Sequence, residues 1–552
     1  MIKKKQIGAA VVALALVAGT AVSVQAAPKT LIISSDLPLQ GSAFDANDST
    51  NKAIQLYLSQ QKNMAGKFKI EFKTYDNATA AKGAWDDAKC AANALAHVAN
   101  KNEVAVMGTF NSGCAKIIAP VLNQAPDGPM LMISNANTNP GLTKEWNVGE
   151  PYKYFPTGLR SYGRVCTTDD FQGSAFDAND STNKAIQLYL SQQKNMAGKF
   201  KIEFKTYDNA TAAKGAWDDA KCAANALAHV ANKNEVAVMG TFNSGCAKII
   251  APVLNQAPDG PMLMISNANT NPGLTKEWNP GEPYKYFPTG LRSYGRVCTT
   301  DDFQGSAAAQ FAKEKLGVKS VYVLNDTETY GQGVAQAFVT EAKKQGITVL
   351  SSGDKGEGWD KKQTDYTALF TKIKALNPDM VYFGGIFDNN GGQLTKDKVK
   401  VLGDNTKVKL MGPDGFTGYP QFNELPEAQG AYLSFAGLST ELLLKNNPNG
   451  AGAKFIKAYK AKYGKDPVGS YPLYGVAAVQ VILGAIAKSD GTRKSVRDAV
   501  FGANTVQISA NNSVLGKAIQ LDPLSGDVNA KDITIEVVKD KKEVTVQAWA
   551  VK

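Results

Sequence analysis

The sequence predicts an α/β protein of two parallel-sheet lobes covered by helices, with most of the first lobe written twice. Three observations lead there: short apolar strands alternate with helical stretches, a second such series follows further along, and a long segment recurs. Residues 172–303 reproduce residues 40–171 at an offset of 132, and the one difference is Val148 against Pro280. Solenoid units run to roughly 20 to 50 residues and diverge from one another. A domain-sized, nearly unchanged unit reads instead as a tandem duplication. Gln-Gly-Ser-Ala stands at 40–43, 172–175 and 304–307, so misaligned recombination between two such sites would produce the pattern.

Residues 1–26 read as an export signal. Lys3, Lys4 and Lys5 precede an apolar run from Ile7 to Val24, and Val24-Gln25-Ala26 forms a small-residue cleavage site. There is no cysteine at that site to carry a lipid. No later stretch is expected to span a bilayer, so the mature chain is expected in the periplasm without stable membrane insertion.

From there the elements follow in order. Leu31 to Ser35 is a short apolar strand, broken at Asp36-Leu-Pro-Leu. Ser49 to Gln61 has helical spacing, Phe68 to Phe72 alternates as a strand, Ala80 to Ala99 is an Ala-rich helix, and Val104 to Met107 is a buried strand. Gly108-Thr-Phe-Asn-Ser-Gly opens a helix through Leu122, and Met130 to Ser134 is the next strand. A second series begins after Gln304, with helices at 307–316, 332–345, 366–376 and 391–402. Its strands are expected at 320–324, 348–352, 380–383 and 409–411. Beyond Gln429 come a strand at 431–435, helices at 453–462 and 473–487, and a terminal hairpin at 533–538 and 544–551, taken as segments that finish both lobes. The expected organisation is a signal at 1–26, lobe one at 27–171, an extra or alternative lobe one at 172–303, lobe two at 304–436 and completing segments at 437–552.

Composition excludes several chemistries. The formal charge is +11, but the lysines alternate with acids as on a solvated helix face, and no nucleic-acid motif accompanies them. The only histidines are His97 and its counterpart His229, which leaves no material for a histidine relay or a multi-histidine metal site. A packing or surface role on a helix is expected for both. The six cysteines are three positions doubled, Cys90, Cys114, Cys166 and Cys222, Cys246, Cys298. In an exported protein each unit can hold one bridge and one free thiol, with Cys90–Cys114 the expected pair. No cofactor is expected.

Open α/β sheets bind ligands beyond the carboxyl ends of their strands, and four such loops carry polar groups. Asn111-Ser112-Gly113 opens a helix, where free N–H groups favour an anion. Ser134-Asn-Ala-Asn-Thr138-Asn-Pro140 offers hydroxyls and amides, Glu328-Thr-Tyr330-Gly-Gln-Gly333 follows a strand of lobe two, and Gly412-Pro-Asp414-Gly415 places a carboxylate after another. Taken singly, each is a helix cap or a turn more often than a site.

Together, Phe-Asn-Ser-Gly, Ile-Ser-Asn-Ala-Asn-Thr-Asn-Pro, Arg-Val-Cys-Thr-Thr-Asp-Asp-Phe-Gln-Gly, Thr-Tyr-Gly-Gln-Gly, Val-Tyr-Phe-Gly-Gly and Met-Gly-Pro-Asp-Gly resemble the type I periplasmic solute-binding proteins of ABC importers. The likeness is to the leucine/isoleucine/valine-binding group and covers nearly all of the mature chain without its second copy. It implies two Rossmann-like lobes that close on a small molecule and hand it to the permease of an ABC importer. By that resemblance Ser112, the Ala136 backbone and Thr138, or Ser244, Ala268 and Thr270 in the second copy, hold an amino acid's carboxylate. Asp414 with Tyr330 faces the ammonium, and Phe44 (Phe176 in the second copy) and Tyr471 stand as aromatic walls. Asp414 occupies the place of a longer Glu, and Ile386-Phe387 replaces a tyrosine-bearing segment.

Two other readings compete. A membrane sensor would use the same lobes. A nucleotide-dependent α/β enzyme would need a phosphate loop, but Gly331-Gln-Gly333-Val-Ala-Gln336 lacks the third glycine and no Gly-Lys-Ser/Thr loop occurs. The Leu31–Ser35 strand and the carboxyl-terminal segments each exist once, so one copy alone is expected to form a full lobe and a working cleft. The other copy is expected to lack its middle strand unless Arg164–Thr168 substitutes.

Overall fold

The computed structural model describes residues 28–137, 139–143, 149–165, 176–211 and 214–551. The expected signal, Thr138 and Cys166 lie outside them, as does the side chain of Phe176. The chain divides into two compact units, one up to residue 169 and the other from 170 onward.

The first unit is built on a six-stranded sheet. Its order is Met64–Ala65, Phe68–Asp76, Thr30–Leu37, Glu103–Gly108, Leu131–Ser134, Tyr162–Arg164. Every neighbouring pair is parallel except the first. The Ala-rich stretch from residue 80 forms a small hairpin, Ala78–Thr79 with Ala84–Trp85, before the helix Asp87–Ala99 starts. Gly83 turns that hairpin at φ +58°, and the Asp86 carboxylate caps the helix by accepting from Lys89 N at 3.1 Å. A Cys90–Cys114 bridge ties this helix to Ser112–Asn123, and the two pack over Val106 and Met132. Strand side chains alternate between faces, so Leu131 and Ile133 point the other way, where they are 47% and 37% exposed.

His97 has no surface role. It is fully buried, with Nε2 3.0 Å from Asp36 Oδ2 and Nδ1 2.5 Å from Glu103 Oε1. Burial lowers its pKa, but the bonds to the two carboxylates outweigh that and hold it above the ordinary value.

The second unit holds the repeated copy and everything after it. Of the six-stranded arrangement, three parallel strands remain: Ala237–Met239, Leu263–Ser266 and Tyr294–Arg296. A Cys222–Cys246 bridge recurs, and Cys298 is a buried free thiol. Phe200–Lys201 pairs only with Met196–Ala197, and residues 202–209, whose counterparts form a long strand in the first unit, form none. On the face that is open in the first unit, the helix Tyr471–Lys488 packs against Phe176–Gln192 and against Leu263–Ser266, burying Leu263 and Ile265 completely. That helix is long and apolar enough to cross a membrane, contrary to the sequence expectation, but 78% of it is buried as the central core helix of this lobe.

The remaining lobe of the second unit carries a mixed sheet in the order Thr348–Val349, Ser320–Asn325, Met380–Gly384, Lys409–Gly412, Tyr432–Phe435, Asp532–Lys539, Lys542–Ala550. Pairing is parallel up to Tyr432–Phe435 and antiparallel through the terminal hairpin. The carboxyl-terminal segments thus pack against both lobes of this unit.

One expectation is overturned. Neither copy forms a full lobe, because the two single segments part company: Thr30–Leu37 joins the first copy and Tyr471–Lys488 joins the second. Of the Arg164–Thr168 stretch expected to substitute for a middle strand, residues 166–168 lie outside the described residues, and Tyr162–Arg164 pairs with Leu131–Ser134 in its own copy.

Candidate functional site

The residues expected to bind ligand meet in the second unit, at the carboxyl ends of its strands. Asp414 follows the strand Lys409–Gly412 and is 2% exposed. Tyr330, in the first turn of the helix Thr329–Lys344, and Tyr471, the first residue of the core helix, each donate a hydroxyl to one of its oxygens. Tyr471 is therefore more than an aromatic wall. Its ring also packs edge-on against Phe242 at 5.4 Å and Phe435 at 5.1 Å. The Tyr330 hydroxyl accepts from Gly415 N at 3.0 Å, which fixes the loop that carries Asp414.

The opposing lobe presents residues 266–271 as a tightly held loop. Ser266 Oγ accepts from Ala268 N at 3.1 Å and Asn269 N at 2.9 Å, and donates to Thr241 O at 3.1 Å. The Ala268 N–H is thus engaged within the loop. Arg296, fully buried, donates from one nitrogen to Asn269 O at 2.6 Å and Asn271 O at 3.0 Å, while its Nε bonds Asp527 at 2.9 Å. Ser244, at the start of Ser244–Asn255, accepts from Asn271 N at 3.3 Å. Asn271 Nδ2 in turn donates to Thr329 O at 3.2 Å, so the two lobes of this unit touch beside Tyr330.

Asp301 is the group that sequence reasoning missed. It opens the helix Asp301–Glu314, its N–H donates to Thr270 O at 2.9 Å, and it is fully buried. Neither of its carboxylate oxygens, nor the buried Thr270 hydroxyl, meets hydrogen-bond geometry with a described residue. Burial, then the neighbouring Asp414, push its carboxyl well above the usual range, with Thr270 and Arg296 pulling the other way. Burial likewise raises Asp414, partly offset by the Tyr330, Tyr471 and Gln304 hydrogen bonds. A signal was present in the sequence: an acidic pair, Asp301-Asp302, follows the strand Tyr294–Arg296 after the short link 297–300.

Two carboxylates and a hydroxyl, buried out of water, suit a ligand that brings positive charge and an acceptor of its own. Among the described residues no cluster of His, Cys, Asp and Glu could hold a metal ion. The first-copy residues sit elsewhere. Ser112 accepts from Asn139 N at 3.2 Å and Ala136 N donates to Ser134 Oγ at 3.0 Å, both within the first unit. Phe44 there is 44% exposed. Only the Ser244, Ala268, Thr270 set shares a unit with Asp414.

Comparison with known proteins agrees with this division. The sequence pattern of the family described as periplasmic binding protein matches residues 164–521, which takes in the second copy and leaves the first aside. An amino acid binding protein of Pseudomonas aeruginosa is 27% identical over 337 residues, 59% of this chain and 78% of that one. The Leu/Ile/Val/Thr-binding protein of Salmonella typhimurium is 28% identical over 250 residues, 44% of this chain, and the chain spans 60% of that relative. Among solved structures, the branched-chain amino acid transporter substrate binding protein LivJ of Streptococcus pneumoniae, in complex with isoleucine, superposes with a TM-score of 0.53. It is 19% identical, covering 68% of this chain and 96% of that one. An ABC transporter solute binding protein from Rhodopseudomonas palustris, in complex with p-hydroxybenzoic acid, gives 0.55 at 16% identity, covering 69% and 95%. These structural likenesses show a shared fold.

Proposed function

Because the chain belongs to the periplasmic binding protein family, a family of extracytoplasmic binding proteins and not of enzymes, we propose that it captures an amino acid, branched-chain or related, by closure of two lobes. It delivers the bound ligand to the permease of an ABC importer. The observation that carries this reading is the buried pair Asp301 and Asp414 beside the buried Thr270 hydroxyl.

An α-amino acid has an ammonium group for the two carboxylates and a carboxylate for Thr270, Ser244 and the amides of the 266–271 loop. Charge-assisted hydrogen bonds contribute roughly 1.5 to 3 kcal/mol each, and this set is complete only when both lobes contribute. Closure is then coupled to the ligand. The short reach of Asp414 is offset by Asp301, at the start of the helix Asp301–Glu314 that packs in the same lobe, so a small ammonium group can meet both. Phe242, Tyr471 and Ile386 supply apolar surface for a side chain. An aromatic acid such as p-hydroxybenzoate carries no ammonium and would leave both carboxylates facing an anion.

The test is calorimetric titration of protein stripped of ligand by unfolding and refolding. Leucine, isoleucine and valine are expected to bind with one site per chain, and benzoates not to bind. Asp414→Asn is expected to weaken leucine binding by about 10- to 100-fold, the equivalent of one charge-assisted bond. Tight benzoate binding, or undiminished leucine affinity in Asp414→Asn, would overturn the proposal.

A further inference from the structure

The same residues are complete in one unit and incomplete in the other. In the first unit, Thr30–Leu37 lies between two parallel partners. It runs from Thr30 opposite Lys69 to Leu37 opposite Asp76 on one side, and from Ile33 opposite Ala105 to Asp36 opposite Gly108 on the other. Its polar side chains are matched by buried partners: Asp36 receives His97 at 3.0 Å and Asn77 at 2.6 Å, and Ser34 donates to Glu103.

The second unit carries those partners again as His229, Asn209 and Glu235, and all three line a cavity of about 830 Å³. Residues 200–210 border it on one side and residues 234–243 on the other. These are the counterparts of the two segments that flank Thr30–Leu37 in the first unit. The remaining wall is the face of the core helix that presents Val479, Ile482, Leu483 and Ile486.

We propose that this cavity is a second seat for the Thr30–Leu37 strand, and that the strand exchanges from the first seat into it within one chain. The two bordering segments are identical in sequence to those that already hold the strand, so register and polar matching carry over, with Asp36 to His229 and Asn209 and Ser34 to Glu235. Two differences favour the second seat. Leu31 and Ile33 are only partly buried in the first, whereas the core helix would cover them in the second. The backbone groups of residues 202–209, which form no strand there, would gain a ladder partner. The connection is also preserved, since the Gln-Gly-Ser-Ala after Leu39 is the same tetrapeptide that precedes the helix Phe176–Gln192. With the strand moved, the rest of the first copy becomes an insertion in a loop, where added sequence is tolerated.

Cysteine pairs test the exchange in the full-length chain with Cys166 and Cys298 replaced by Ser. Ile33→Cys with Ala105→Cys reports the first seat, and Ile33→Cys with Ala237→Cys the second; Ser34→Cys with Val106→Cys or Val238→Cys repeats the test one residue along. Under slow oxidation with a thiol–disulfide buffer, an intrachain link to position 237 or 238 in monomeric protein is expected, mapped by mass spectrometry. Links to 105 and 106 alone overturn the proposal. So does a failure to link 237 and 238 in both schemes, or a link to them found only in covalent dimers, which would mean donation by a second molecule.

Discussion

Leu131 and Leu263 are the same residue in the same local sequence, yet one is 47% exposed and the other fully buried. Ile133 and Ile265 differ in the same way, at 37% and 0%, and Leu56 and Leu188 at 60% and 6%. The cause is the core helix Tyr471–Lys488, which exists once and lies against the second copy. The reverse holds at the sheet centre, where the first copy has the Thr30–Leu37 strand and the second has a cavity. Burial here belongs to the pairing of complementary segments, and 132 residues of nearly identical sequence cannot by themselves determine it.

The largest effect expected from this difference is on stability. Ile265→Ala removes a fully buried side chain and is expected to cost about 2 to 5 kcal/mol, whereas Ile133→Ala, which removes a half-exposed one, is expected to cost under about 1 kcal/mol. Denaturant unfolding followed by tryptophan fluorescence measures both, and equal losses would break the comparison.

The next is on binding. Thr270→Val keeps the shape and removes the hydroxyl, and is expected to weaken leucine binding by about 10-fold, in line with loss of one hydrogen bond to a charged group. Ser112→Ala, in the first unit, is expected to leave leucine affinity within about twofold of the parent. A comparable loss in Ser112→Ala would assign the working cleft to the first copy instead.

Much of this was legible in the sequence, and the failures have physical reasons. The order of strands and helices followed from apolar periodicity, and Asp414, Tyr330 and Thr270 stood out as polar groups in loops after strands. The stretch from Ala80 was misread because alanine favours helix, while Gly83 and the Asp86 cap delay the helix to Asp87. Asp301 was overlooked because a carboxylate at a helix start is normally a solvated cap; only the packed structure reveals that its oxygens are out of water. Which copy would receive the single strand and which the single helix was beyond the sequence, since both copies offer the same residues to each.

The smallest effect is a pH dependence that the second unit should have. Asp301 and Asp414 both have carboxyls raised by burial, and ionised Asp414 raises Asp301 further. A folded-state pKa above the unfolded value, about 3.9 for Asp, contributes stability that is full below the unfolded value. That contribution is lost as pH rises through the folded value. Ligand-free protein should therefore lose stability as pH rises from the unfolded value through the folded ones, and leucine, by supplying an ammonium, should restore it. Leucine affinity should fall in the opposite direction, because acid protonates the carboxylates the ammonium needs. Asp301→Asn removes a carboxyl whose ionisation burial opposes, so it should raise the melting temperature of ligand-free protein once pH passes the folded-state value, by about 1 to 3 kcal/mol of stability. It should also flatten the pH profile and weaken leucine binding. Asp169→Asn, the same substitution in the first copy, should change none of the three. Calorimetric scans at a series of pH values, with and without leucine, separate these outcomes. An Asp301→Asn profile as steep as the parent's would show that Asp301 is not the titrating group.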